Sequence, residues 1–125
     1  MLDAEALNIT AVVVGAVAAF VFGWIIYHPK VLGRIWAEGS GVAPSNAPPV
    51  LAMVLQLLAL LALAIVVGTT ATVNFLGTAL LAIAAVALFI ASGGAFTGKT
   101  TGAILVDVAY VLGAGALMIA AQGLL

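Results

Sequence analysis

The chain has no cysteine in 125 residues, and only three basic and four acidic side chains. Without cysteine there is no disulfide, iron–sulfur ligation or thiol nucleophile, and no trace of a redox compartment. One histidine and four carboxylates, spread along the chain, do not supply the ligand set of a usual metal site. A net charge of −1 removes the electrostatic case for nucleic acid, which requires a basic patch. No histidine cluster, nucleophile–base pair or cofactor motif stands out, so the expectation is a protein that is not an enzyme and holds no cofactor.

What replaces the missing polarity is apolar surface. Hydrophobic residues make up 66% of the chain and charged residues 6%, with a mean hydropathy of +1.41. Soluble domains carry about a quarter charged residues, and a soluble core this small has no way to hide so much apolar surface. A bilayer does. Four stretches are long enough for hydrocarbon about 30 Å thick, which takes about 20 apolar residues as a helix. They run over about 9–27, 50–67, 73–91 and 102–121. Unbroken runs such as Leu57 to Val67 lack the alternation of a β-barrel strand. The expected fold is therefore an all-α integral membrane protein, one bundle of four transmembrane helices forming a single membrane domain over 1–125.

The connections agree with that division. Pro29 to Pro49 is rich in breakers, including Gly39, Gly41, Pro44 and Pro48. Gly68 to Thr72 reads as a tight hairpin, and Ser92 to Thr100 as the last loop. The segment 31–38 reads as a short amphipathic piece lying in the headgroup plane. Asp3 and Glu5 give the first stretch an acidic flank, wrong for a cleaved signal, so a retained anchor is expected. Lys30, Arg34 and Lys99 all fall in the first and third loops. The positive-inside rule then puts those loops in the cytoplasm and both termini outside.

Gly93-x4-Gly98-Lys99-Thr100 matches the phosphate-loop pattern letter for letter. That mechanism needs a strand before the loop and an acidic magnesium residue on a second strand. A membrane helix precedes it here, so no nucleotide is expected.

Asp107 is the informative exception to the apolar chain. An ionisable group at that depth costs about 2.5–3.5 kcal/mol on insertion scales and normally faces a bundle interior. At about 1.5 Å of rise per residue it lies roughly 8–9 Å inside its helix, and Gln56 about 10 Å inside the second. Trp24 and Tyr27 close the first helix at the same end, and Ser92 closes the third. One leaflet therefore collects Asp107, Tyr110, Gln56, Trp24 and Tyr27, while the other is nearly pure Ala, Leu, Val and Gly. Such a cluster serves as glue between helices, as a ligand, proton or ion site, or as a partner contact. Lys99, eight residues away or roughly 12 Å of helix, is a poor partner for Asp107. His28 beside Pro29 reads as an interfacial residue, as do the aromatic rings at that end. Ala11, Gly15, Ala19 and Gly23 recur every four residues, a ridge of small side chains suited to close helix packing.

Gly23-x3-Tyr27-x-Pro29-x3-Gly33-x2-Trp36 resembles the signature of a small bacterial four-helix membrane-protein family, catalogued as a domain of unknown function (number seventeen sixty-one). Asp107 followed by Tyr110, and Asn8 before the first helix, fit the same pattern. The family's usual Trp directly before the loop Tyr is Ile26 here, with Trp24 two residues earlier. The resemblance implies four helices and a bacterial inner membrane, and brings no activity. Two functions are expected to compete. One is a non-enzymatic scaffold or accessory subunit, as a homo-oligomer or within a larger membrane complex. The other is a small ion- or proton-coupled transporter or channel using Asp107.

Overall fold

The structure, a computed structural model, describes residues 6–42 and 49–125. The acidic leader residues Asp3 and Glu5 and the breakers Pro44 and Pro48 lie outside those residues. Five helices follow in order: α1 (Ile9–Ile26), α2 (Gly33–Ser40), α3 (Val50–Ala71), α4 (Leu76–Phe96) and α5 (Thr101–Leu124). There is no strand among the described residues. All but α2 are long and apolar enough to cross a membrane.

Helix α5 is the axis of the bundle. It packs against every other helix, most extensively against α1. The small-residue ridge explains why. Ala11, Gly15 and Ala19 are buried, and a Cβ added at Gly15 would lie 3.1 Å from the Met118 backbone. With no bulk between them, the two backbones approach until van der Waals contact replaces lipid. On α5 the facing surface is Tyr110, Ala114, Met118 and Ala121, all buried. Gly115 meets Ile83 of α4 in the same way: a methyl there would reach within 2.5 Å of the Ile83 side chain.

The helix ends differ from the sequence expectation at three places. Helix α3 runs through Gly68 to Ala71 instead of turning there. Thr69 and Thr70 turn their hydroxyls back onto the Val66 and Val67 carbonyls at 2.9 and 2.8 Å, so these polar side chains are satisfied within the helix. The reversal comes later, where Asn74 takes φ of 57° and the Phe75 amide donates to the Thr70 carbonyl. Helix α4 likewise continues through Ser92 to Phe96. Gly98, at φ of 80°, is its true terminator, with the Lys99 amide bonded to the Gly94 carbonyl at 2.9 Å. The amphipathic segment is helical over 33–40, and it docks on α5 rather than lying apart from the bundle.

That docking closes one end of the bundle. The Thr100 amide donates to the Gly39 carbonyl at 3.0 Å, and a methyl at Gly39 would strike the Thr100 hydroxyl. Thr100 in turn caps α5 by accepting from the Ala103 amide at 3.2 Å. The end that holds α2, Lys30, Arg34 and Lys99 is opposite the α3–α4 turn, where Gly68 packs near Leu7, Val12 and Gln122.

Candidate functional site

The site is assembled from the residues that end α1 and begin α5. Helix α1 stops at Ile26, with Tyr27 as its C-cap and Pro29 in the exposed turn beyond. The turn is tight: the Leu32 amide reaches the Ile26 carbonyl, and the Gly33 amide reaches the His28 carbonyl. A methyl at Gly33 would overlap the Tyr27 carbonyl, so only glycine lets α2 start that close. This geometry turns the Tyr27 side chain inward, toward α5.

There it meets Asp107, which is 7% exposed. The Tyr27 hydroxyl donates to Asp107 Oδ1 at 2.5 Å, and the Lys99 ammonium donates to Oδ2 at 2.9 Å. Lys99 is thus the counter-ion of the buried acid, contrary to the distance expected from the chain. Rise along a helix measures backbone separation, and Lys99 is not on the helix. It stands in the α4–α5 loop after the left-handed Gly98, and its long stem snorkels in reverse, inward to the carboxylate. The ammonium also sits 5.4 Å from the centre of the Trp36 ring.

A second pair lies beside the first. Gln56 of α3 donates its amide to the Tyr110 hydroxyl at 2.8 Å. The Tyr27 and Tyr110 rings meet edge to face with centroids 5.4 Å apart, and Trp36 meets Tyr27 similarly at 5.3 Å. Gly23 makes room for Tyr110: a methyl there would lie 3.0 Å from its ring. The four helices and α2 therefore enclose an open cleft of about 570 Å³, polar at the loop end and apolar along its walls.

The structure brings together Asp107, Tyr110, Gln56 and Tyr27, and adds Trp36 and Lys99. Trp24 lines only the mouth, with 70% of its surface exposed. Gly23 and Tyr27 occupy the inward face of α1, and one step of about 100° turns Trp24 away from it. Ser92 takes no part: it is exposed on α4, because that helix runs on past it. Of the interfacial motif, Gly33 and Trp36 build the site, whereas Pro29 stays in the outer turn. Gly39 and Thr100, which seat α2, were legible in the sequence only as a loop breaker and a phosphate-loop letter. The phosphate-loop letters are spread over the end of α4, the left-handed Gly98 and the cap Thr100, with Lys99 turned to Asp107.

A family profile described as "Protein of unknown function (DUF1761)" matches residues 10–122. No curated protein and no solved structure matches the chain.

Proposed function

The chain belongs to the DUF1761 family of proteins of unknown function, and on that premise we propose that it is a non-enzymatic membrane component that works by binding at one end of its bundle. It serves as a scaffold or accessory subunit, in the inner membrane of a bacterium, as a homo-oligomer or beside other membrane subunits. The loops bearing Lys30, Arg34 and Lys99 face the cytoplasm and the termini face out.

One observation carries this reading. The polar network stops at Tyr110, and the buried face of α5 beyond it is Val111, Ala114, Gly115 and Met118. The next polar side chain on α5 is Gln122, 12 residues on, or roughly 18 Å of helix. Polar-lined passage, which an ion pathway needs, is missing from that interval. The titratable groups are also engaged with one another, since Asp107 has both oxygens bonded. Only 17% of the α3 span is buried within the chain, which leaves that helix open to lipid or to another subunit.

The competing reading, an ion- or proton-coupled path through Asp107, draws on the buried acid itself. Purified protein in liposomes separates the two. Proton and sodium flux should equal that of empty vesicles, unchanged by Asp107→Asn. Flux that rises with protein content and is lost in Asp107→Asn would replace binding by transport. Crosslinking in native membranes should capture more than one chain per particle; a lone monomer would remove the scaffold assignment.

A further inference from the structure

The cleft at the loop end has a hydrogen-bonding inventory that restricts what fits it. Both Asp107 oxygens are taken, one by Tyr27 and one by Lys99. Lys99 thereby spends its charge inside the site, so neither sign is left over for a ligand. An anionic headgroup or an amine would add a net charge to a site whose own buried charges already cancel, and that charge would stay uncompensated.

Several donors remain unspent. The Tyr110 hydroxyl accepts from Gln56, and its own proton has no acceptor among the described residues. Gln56 keeps a second amide N–H, and the Lys99 ammonium keeps N–H groups beyond the one given to Asp107. The Trp36 ring also lines the cleft, with its indole N–H buried without a partner. Acceptor capacity remains too, at the Gln56 carbonyl oxygen and in the unspent lone pairs of the Tyr27 and Tyr110 hydroxyls and of the buried Asp107. The walls leading away are apolar, from Phe20 of α1, Met53 of α3 and Ile90 of α4. At about 570 Å³ the cleft is of the size that holds a small molecule.

We propose that the cleft binds a neutral, lipid-soluble amphiphile through its carbonyl oxygens, held by Tyr110 and Gln56, with its apolar tail along Phe20, Met53 and Ile90. Two membrane compounds offer that chemistry, the ring carbonyls of an isoprenoid quinone and the ester carbonyls of a neutral glyceride. The proposal rests on the binding function above, and names what is bound.

The chain reports on it directly, because its two tryptophans, Trp24 and Trp36, both line the cleft. Tryptophan fluorescence of the full chain in nanodiscs is titrated with a decyl-substituted benzoquinone in one arm and dioctanoylglycerol in the other. Dodecyl phosphate and dodecyltrimethylammonium serve as charged comparisons. One neutral probe should give a saturable change, and the arm that responds identifies the source. Tyr110→Phe and Gln56→Leu should each weaken it about tenfold, the effect of losing one hydrogen bond. Gln122→Leu, at the other end of the bundle, should not. Tyr110→Phe keeps the ring, so it decides the matter if Gln56→Leu fails to fold by circular dichroism. Linear, non-saturating responses to both neutral probes, tighter binding of a charged probe, or saturable binding indifferent to Tyr110→Phe would each overturn the proposal. A protein silent in the flux assay that binds neither neutral probe keeps its scaffold function and loses this ligand.

Discussion

Asp107 holds its place because three different side chains answer it. Tyr27 and Lys99 bind its two oxygens, and Trp36 covers the lysine. A buried carboxylate stripped of one donor retains its full desolvation penalty, so the pair must be judged by removing each partner and then both. Lys99→Met should destabilise the bundle by about 1–3 kcal/mol, and Tyr27→Phe by about 1 kcal/mol. Asp107→Asn in the Lys99→Met background should recover part of the loss, giving a favourable coupling of about 1 kcal/mol. Thermal unfolding in one detergent, across the four members of the cycle, measures this; strictly additive effects would mean that Lys99 and Asp107 act independently. At this scale the sequence exposed the acid but hid its counter-ion. An isolated carboxylate in an apolar run is conspicuous from composition alone. Lys99 was legible only as a loop charge, since nothing in the sequence fixes how a side chain leaves the turn after Gly98.

Glycines decide where the helices meet, and they are not equivalent. Gly33 lies so close to the Tyr27 carbonyl that a methyl cannot fit, whereas Gly93 on α4 has nothing within 4 Å of an added Cβ. Gly33→Ala should therefore shift α2 off the bundle, lower stability by about 1–3 kcal/mol and loosen Tyr27 and Trp36. Gly93→Ala should be neutral or stabilising by about 0.5–1 kcal/mol, as expected for a helical glycine with room. Melting temperatures, with near-ultraviolet circular dichroism to report on the aromatic cluster, check both; an indifferent Gly33→Ala would refute the close-approach argument. Helix ends were the least legible part of the elements. Gly68 and Gly93 look like breakers in the sequence, yet both are helical, Gly68 because it packs against Leu7, Val12 and Gln122. The ridge from Ala11 to Gly23 was visible as spacing, but its partner was not, because α5 offers small residues on more than one face.

For the molecule as a whole, hydropathy sufficed to find the four spans, since length and apolarity are all a bilayer requires of a helix. The cleft was not readable from sequence, because it depends on α2 folding back onto α5 and on the way Tyr27 leaves α1. The proposed orientation rests on the three basic residues alone, and the cysteine-free chain makes it simple to test. In intact cells an impermeant thiol reagent should label Ala71→Cys in the turn region and leave Val42→Cys untouched; the reverse pattern would invert the molecule.

Access from one side only is the claim on which the functional account stands. Three single cysteines in sealed vesicles of both orientations test it: Met53→Cys in the cleft, Ala114→Cys at mid-bundle, and Val42→Cys, exposed after α2, as the marker of the loop face. A small impermeant thiosulfonate should label Met53→Cys only from the face that labels Val42→Cys, and Ala114→Cys from neither face. Labelling of Ala114→Cys, or of Met53→Cys from both faces, would show a water path through the bundle and contradict a closed binding site.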